Sequence, residues 1–117
     1  MVPDFADALS EGVLLFNREK FFACHEVWED AWRESREPHR LFLQALIHVA
    51  VSFHHEQQAN SQGAGRQMRK GLKKLAGYLP VYGGIQTASL YAACVGRAPG
   101  AAFPRIAAAS GRTPCPP

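Results

Sequence analysis

The residues best equipped for chemistry lie in one short run, His25-Glu26-Val27-Trp28-Glu29. On a helix, positions four apart meet on one face, so His25 and Glu29 converge without any loop rearrangement. An imidazole and a carboxylate held this way are half of a divalent metal site, and His55 supplies a candidate third ligand. Glu26 is the candidate general base on a metal-bound water, whose pKa the metal lowers. It lies about 100° around the helix from His25. Trp28 and Trp32 are candidate pocket walls, while Gln44, His48 and Asn60 could orient a ligand or a water from behind. One divalent ion is the cofactor this set implies. The run is not the HExxH of zinc proteases, because Glu29 stands at the second histidine position.

The same residues have a purely structural reading. His25 and Glu29 form a partly buried polar pair, His55 bonds to Gln44, Asn60 closes a turn, and both tryptophans are core. Buried polar groups must be paired, so such a network can exist to fix helix register alone. Three cysteines, Cys24, Cys94 and Cys115, include no CxxC pair. That argues against a disulfide framework and against a thiolate zinc site. No serine sits in a nucleophile elbow. His39 reads as a solvated loop residue, and adjacent His54 and His55 point too far apart on a helix to share one site.

Charge narrows the search. All ten acids lie in residues 1–56, with five bases, a net of −5; residues 57–117 hold eight bases and no acid, a net of +8. All five histidines are also in the first part. The overall +3 at pH 7 conceals this split. The basic run from Arg66 to Lys74 could face nucleic acid, but no aromatic residue interleaves with its cations as single-strand binding favours. It reads better as a complement to the acidic helices, within one bundle or between two copies.

Helices must position these groups. Phe5, Leu9, Val13 and Phe16 make one apolar stripe, predicting a helix over 4–16. A second covers 19–34, with Phe21, His25, Trp28 and Trp32 on one face. A third covers 39–58 and is apolar over so wide an arc that it should be central. Residues 60–63 read as a turn before a fourth helix that continues to Leu79. Pro80 and Gly83-Gly84 stop it, and a shorter fifth spans 85–95. From Arg97 onward, thirteen of 21 residues are Ala, Pro or Gly, predicting an extended or partly disordered tail. The expectation is an all-α protein: a compact bundle of four to five helices with an extended Pro/Ala-rich C-terminal tail, divided as a helical domain at 1–96 and a tail at 97–117. At 117 residues one domain suffices. No apolar run approaches the roughly 18 residues that span a bilayer. With no signal-peptide pattern at the start, the expected location is the cytoplasm.

The run from Phe21 to Arg33, preceded by Phe16-Asn17, resembles the DUF309 family. The stretch Arg40 to Ala50 continues the resemblance, as do His55, Asn60, Gly63 and Ala64. It covers roughly residues 12–80. Departures are Ala45 and Ala59, where the family has glycine, and His48, where it has glutamine or another polar residue. The resemblance implies a small helical protein of prokaryotic cytoplasm, and the family carries the label of a predicted metal-dependent hydrolase. Three functional readings follow. The first is such a hydrolase, acting on an unknown small-molecule substrate through His25, Glu29, His55 and Glu26. The second is a non-enzymatic helical module whose partner is another protein or a second copy of itself. The third, disfavoured, is nucleic-acid binding through the fourth helix.

Overall fold

The computed structural model of the chain describes residues 4–109. Five α-helices follow one another: α1 (Phe5–Asn17), α2 (Phe21–Glu34), α3 (His39–Gln57), α4 (Ser61–Leu75) and α5 (Thr87–Gly96), with one 3-10 turn (Ala76–Tyr78) after α4. No strand longer than an isolated bridge occurs among the described residues. The all-α expectation holds. Asp4 caps α1, its carboxylate accepting from the Asp7 backbone N–H. Glu19 takes a left-handed conformation (φ 63°) in the turn after α1, so α2 begins at Phe21 rather than at 19.

The fourth helix differs at both ends from its expected span. Asn60 is its N-cap, with Oδ1 accepting from Gly63 N at 3.0 Å, so 61–63 are the first helical turn rather than a loop. At the far end the α-helix stops at Leu75, and the 3-10 turn carries the chain to Tyr78. Thr87 Oγ1 donates to the Tyr78 carbonyl at 2.7 Å and satisfies a backbone acceptor left by that turn.

The central helix is α3, which packs against α2 and against α4. Its buried residues, among them Phe42, Leu46, Val49 and Phe53, serve both contacts. On the α4 side, a Cβ added at Gly71 would lie 3.1 Å from the Ala45 carbonyl oxygen and from His48 Cβ, so these helices approach at small residues. Ser52 Oγ donates to the Ala64 carbonyl across the same seam at 2.7 Å.

On the other side, Phe16, Phe21 and Phe53 pack with ring centroids 5.1–5.9 Å apart. Phe103 completes this cluster from beyond α5, at 5.0 Å from Phe21 and 5.1 Å from Phe53. Residues 97–109 therefore return to the bundle without a helix. Asn17 clamps them: its Nδ2 donates to the Ile106 carbonyl at 3.0 Å, and Ile106 N donates to its Oδ1 at 2.7 Å. Residues 110–117, which include Cys115, lie outside the described residues.

Trp28 sits at the centre and is fully buried. Its indole lies on the α1 backbone at Gly12, where an added Cβ would fall 1.9 Å from Nε1. No side chain fits there. Gly12→Ala should destabilise the fold by about 3 kcal/mol, the upper range for overpacking a filled core. The check is a denaturant titration followed by tryptophan fluorescence. Ala59, at φ 60° in the α3–α4 connection, stores the opposite defect. A Cβ in the left-handed region costs about 1–2 kcal/mol, part of which glycine's extra chain entropy offsets. Ala59→Gly should raise stability by about 0.5–1 kcal/mol in the same titration.

Candidate functional site

His25 and Glu29 meet as their spacing requires. Nε2 lies 3.6 Å from Glu29 Oε1, with the His25 side chain 20% exposed. The same carboxylate oxygen accepts from Arg33 at 3.4 Å, and Arg33 also donates to Asp30 at 2.9 Å. Glu29 is thus shared between an imidazole and a guanidinium. His25 Nδ1 is buried without a hydrogen-bond partner. The aromatic ring of Phe22 sits between two histidines, 5.4 Å from His25 and 5.2 Å from His54. Glu26, on the neighbouring stripe, is exposed and forms no ion pair or side-chain hydrogen bond among the described residues.

The other candidate residues go to different tasks. Asn60 Nδ2 lies 3.3 Å from His55 Nδ1, while its Oδ1 caps α4. His55 is therefore tied to Asn60, not to Gln44 as the structural network expected, because the capping turn brings Asn60 back beside it. Gln44 is half-buried on α3. His48 Nδ1 donates to Gln67 Oε1 on α4 at 2.7 Å. Burial pushes the His48 imidazole below its usual pKa; the Gln67 bond opposes this, while the Lys74 and Lys70 charges add to it. A neutral His48 bonded to Gln67 locks the α3–α4 register. Trp28 lines no open pocket, being wholly inside the core. Trp32 is half-buried, with the Arg40 guanidinium carbon 4.0 Å from its ring centroid and Arg40 donating to its carbonyl at 2.9 Å.

Among the described residues, no three His, Cys, Asp or Glu side chains form a group able to hold a metal ion. His25 and Glu29 remain a pair, and His55 is engaged at the α3–α4 turn. His39 is also not the solvated loop residue expected. Its ring stacks on Phe5 at 3.8 Å, and Nδ1 lies 2.8 Å from the Tyr82 hydroxyl.

A second polar centre was not singled out by the sequence. Arg97, just past α5, forms a two-pronged ion pair with Glu56 at 2.8 and 2.7 Å. It also donates to the carbonyls of Ala101 and Ala102. Its side chain is only 9% exposed, and its guanidinium lies over the rings of Phe103 and Phe53. The pair lines a cavity of about 530 Å³ with Ser52, Phe53, Met68 and Cys94. The only cue in the sequence was that Glu56, the last acid of the chain, has no cation nearby in sequence to pair with.

These polar groups are mostly spent on one another. The Arg97 hydrogen bonds hold the Glu56 carboxyl below the usual carboxylate range; burial opposes them and the Gly100 N–H assists. Burial pushes the Cys94 thiol up to about 12 and that of Cys24 higher still, so neither is a thiolate nucleophile near neutral pH.

The cations of α4 are different. Arg66, Arg69, Lys70 and Lys73 are exposed, and no ion pair among the described residues includes any of them. The balance expected between α4 and the acidic second helix does not form inside one bundle, where α3 takes the contacts of both.

This architecture defines a small all-helical bundle held in register by polar seams. Residues 9–67 match the family described as a domain of unknown function, DUF309, and the chain belongs to that family. The match runs from within α1 to Gln67, the partner of His48, and leaves Arg97 outside it. No curated protein matches the chain.

The Glu56–Arg97 pair carries a pH signature. Because the folded pKa of Glu56 is depressed, its stabilisation is present above the unfolded value of about 4.3 and is lost as pH falls through the lower folded value. Arg97→Gln should therefore lower stability at neutral pH and flatten its decline in that acid window. Thermal melts of both proteins at pH steps below neutrality check this.

Proposed function

We propose that this chain is a non-enzymatic helical interaction module, not a hydrolase. One observation carries the reading: the polar residues that could have made a site do not converge but are spent on separate contacts, across the α3–α4 seam, at the α4 cap and within α2. His48 engages Gln67, Asn60 caps α4 beside His55, and Glu29 is shared by His25 and Arg33. The donor set does not fit a resident metal ion, since His25 and Glu29 are joined by no third ligand among the described residues. Glu26 has no ligand group to work with and lies exposed on the outer face of α2. Two buried free thiols, Cys24 and Cys94, suit a reducing compartment, which supports a cytoplasmic location. Among the described residues, no helix is long and apolar enough to cross a membrane.

Elemental analysis of the full chain, purified without an affinity tag, tests the reading. The expected result is metal far below one equivalent. His25→Ala should then only lower the melting temperature, by the equivalent of about 0.5–1 kcal/mol for a partly exposed pair. Near-stoichiometric metal that His25→Ala or Glu29→Ala removes would overturn it.

A further inference from the structure

We infer that the cationic face of α4 docks on the acidic face of α2 of a second copy of this chain. The inference rests on the module reading and names its partner. Arg66, Arg69, Lys70 and Lys73 fall within about a 100° arc of α4 and span about 10.5 Å along it. All four are exposed, and none is paired with an acid among the described residues. On α2, Glu26, Asp30 and Glu34 recur every four residues, all exposed, over about 12 Å. The two stripes match in length and oppose in sign. Asp30 is partly neutralised by Arg33, which leaves Glu26 and Glu34 as the free charges at either end.

Phe22, one turn before Glu26 on the same face, is 51% exposed. An aromatic residue at the edge of a charged stripe gives such a contact an anchor that charge alone does not supply. The acids of α1 are a poorer match, because Asp4 caps its own helix and Asp7 to Glu11 spans only about 6 Å. Nucleic acid is the other polyanion to consider. The exposed face of α4 carries no aromatic residue on which a base could stack, whereas the chain itself carries the complementary stripe. Every copy has both faces, so the contact either closes a two-fold dimer or runs head to tail.

The test is the mass of the full chain in sedimentation velocity as salt rises from about 0.01 M to about 1 M, over which the Debye length falls from about 30 Å to about 3 Å. Wild type should be associated at low salt and monomeric at high salt. Lys70→Glu with Lys73→Glu should be monomeric throughout, as should Glu26→Lys with Glu34→Lys. Mixed together, these two variants should associate again, because each now offers what the other lost; this recovery also shows that both are folded. Asp7→Lys with Glu11→Lys, which has the same net charge as the α2 variant, should associate alone as wild type does, which separates loss of the α2 stripe from a change in net charge.

A wild-type chain that is monomeric at low salt overturns the inference, as does association insensitive to salt or to the α2 reversal. Salt-sensitive binding of a short fluorescein-labelled DNA duplex by a monomeric wild type would assign the stripe to phosphates instead. A resident metal would sink the module reading without altering any of these masses, so the two failures are separable.

Discussion

The burial of Trp28 depends on an absence at position 12. The indole occupies the space where any residue other than glycine would place its side chain. This lets α1 lie directly on α2, and the indole N–H is directed at the Leu9 carbonyl at 3.5 Å. Phe16 packs beside the indole and passes the contact on to Phe21 and Phe53. The first three helices are thus organised around one large side chain whose only polar atom is turned towards a backbone acceptor.

On the opposite flank of α3 the bundle uses polar contacts for the same purpose. His48–Gln67 and Ser52–Ala64 cross the α3–α4 seam in partly buried places, each costly to leave half-made, and the Asn60 cap closes the turn at its end. The two crossing bonds specify register, because sliding either helix by one residue would break both of them together. The charge distribution follows from this arrangement. With α3 between them, the acidic and basic helices need not neutralise each other, and each presents its charge outward.

The helices were legible in the sequence because their apolar stripes are long and regular. Phe5, Leu9, Val13 and Phe16 pointed to α1 with little error, and the wide apolar arc of residues 39–58 showed that α3 is central. The boundaries were less legible where capping chemistry decides them. Asn60 reads as a turn residue, and only the 3.0 Å bond to Gly63 N shows it starting a helix. The His25–Glu29 pair was visible as spacing, but spacing cannot say what lies opposite. Whether His55 would face that pair depends on the relative rotation of α2 and α3, which is set by Trp28, Phe21 and Phe53. The Glu56–Arg97 pair, 41 residues apart, had no local signal beyond the lack of a cation near Glu56 in sequence. Likewise nothing in the spacing marks Gly12, since its role is defined by a residue on another helix.

The Asn17 clamp on Ile106 joins positions 89 residues apart. In a protein made from its N-terminus on the ribosome, α1 emerges early and then waits for its last contact until nearly the whole described chain has been synthesised. Until then the Phe21 and Phe53 rings that Phe103 covers stay open to other apolar surfaces. A bundle whose helices form rapidly from local contacts is in this way given a late, long-range closing step, and the interval before it is when the nascent chain is most prone to aggregation.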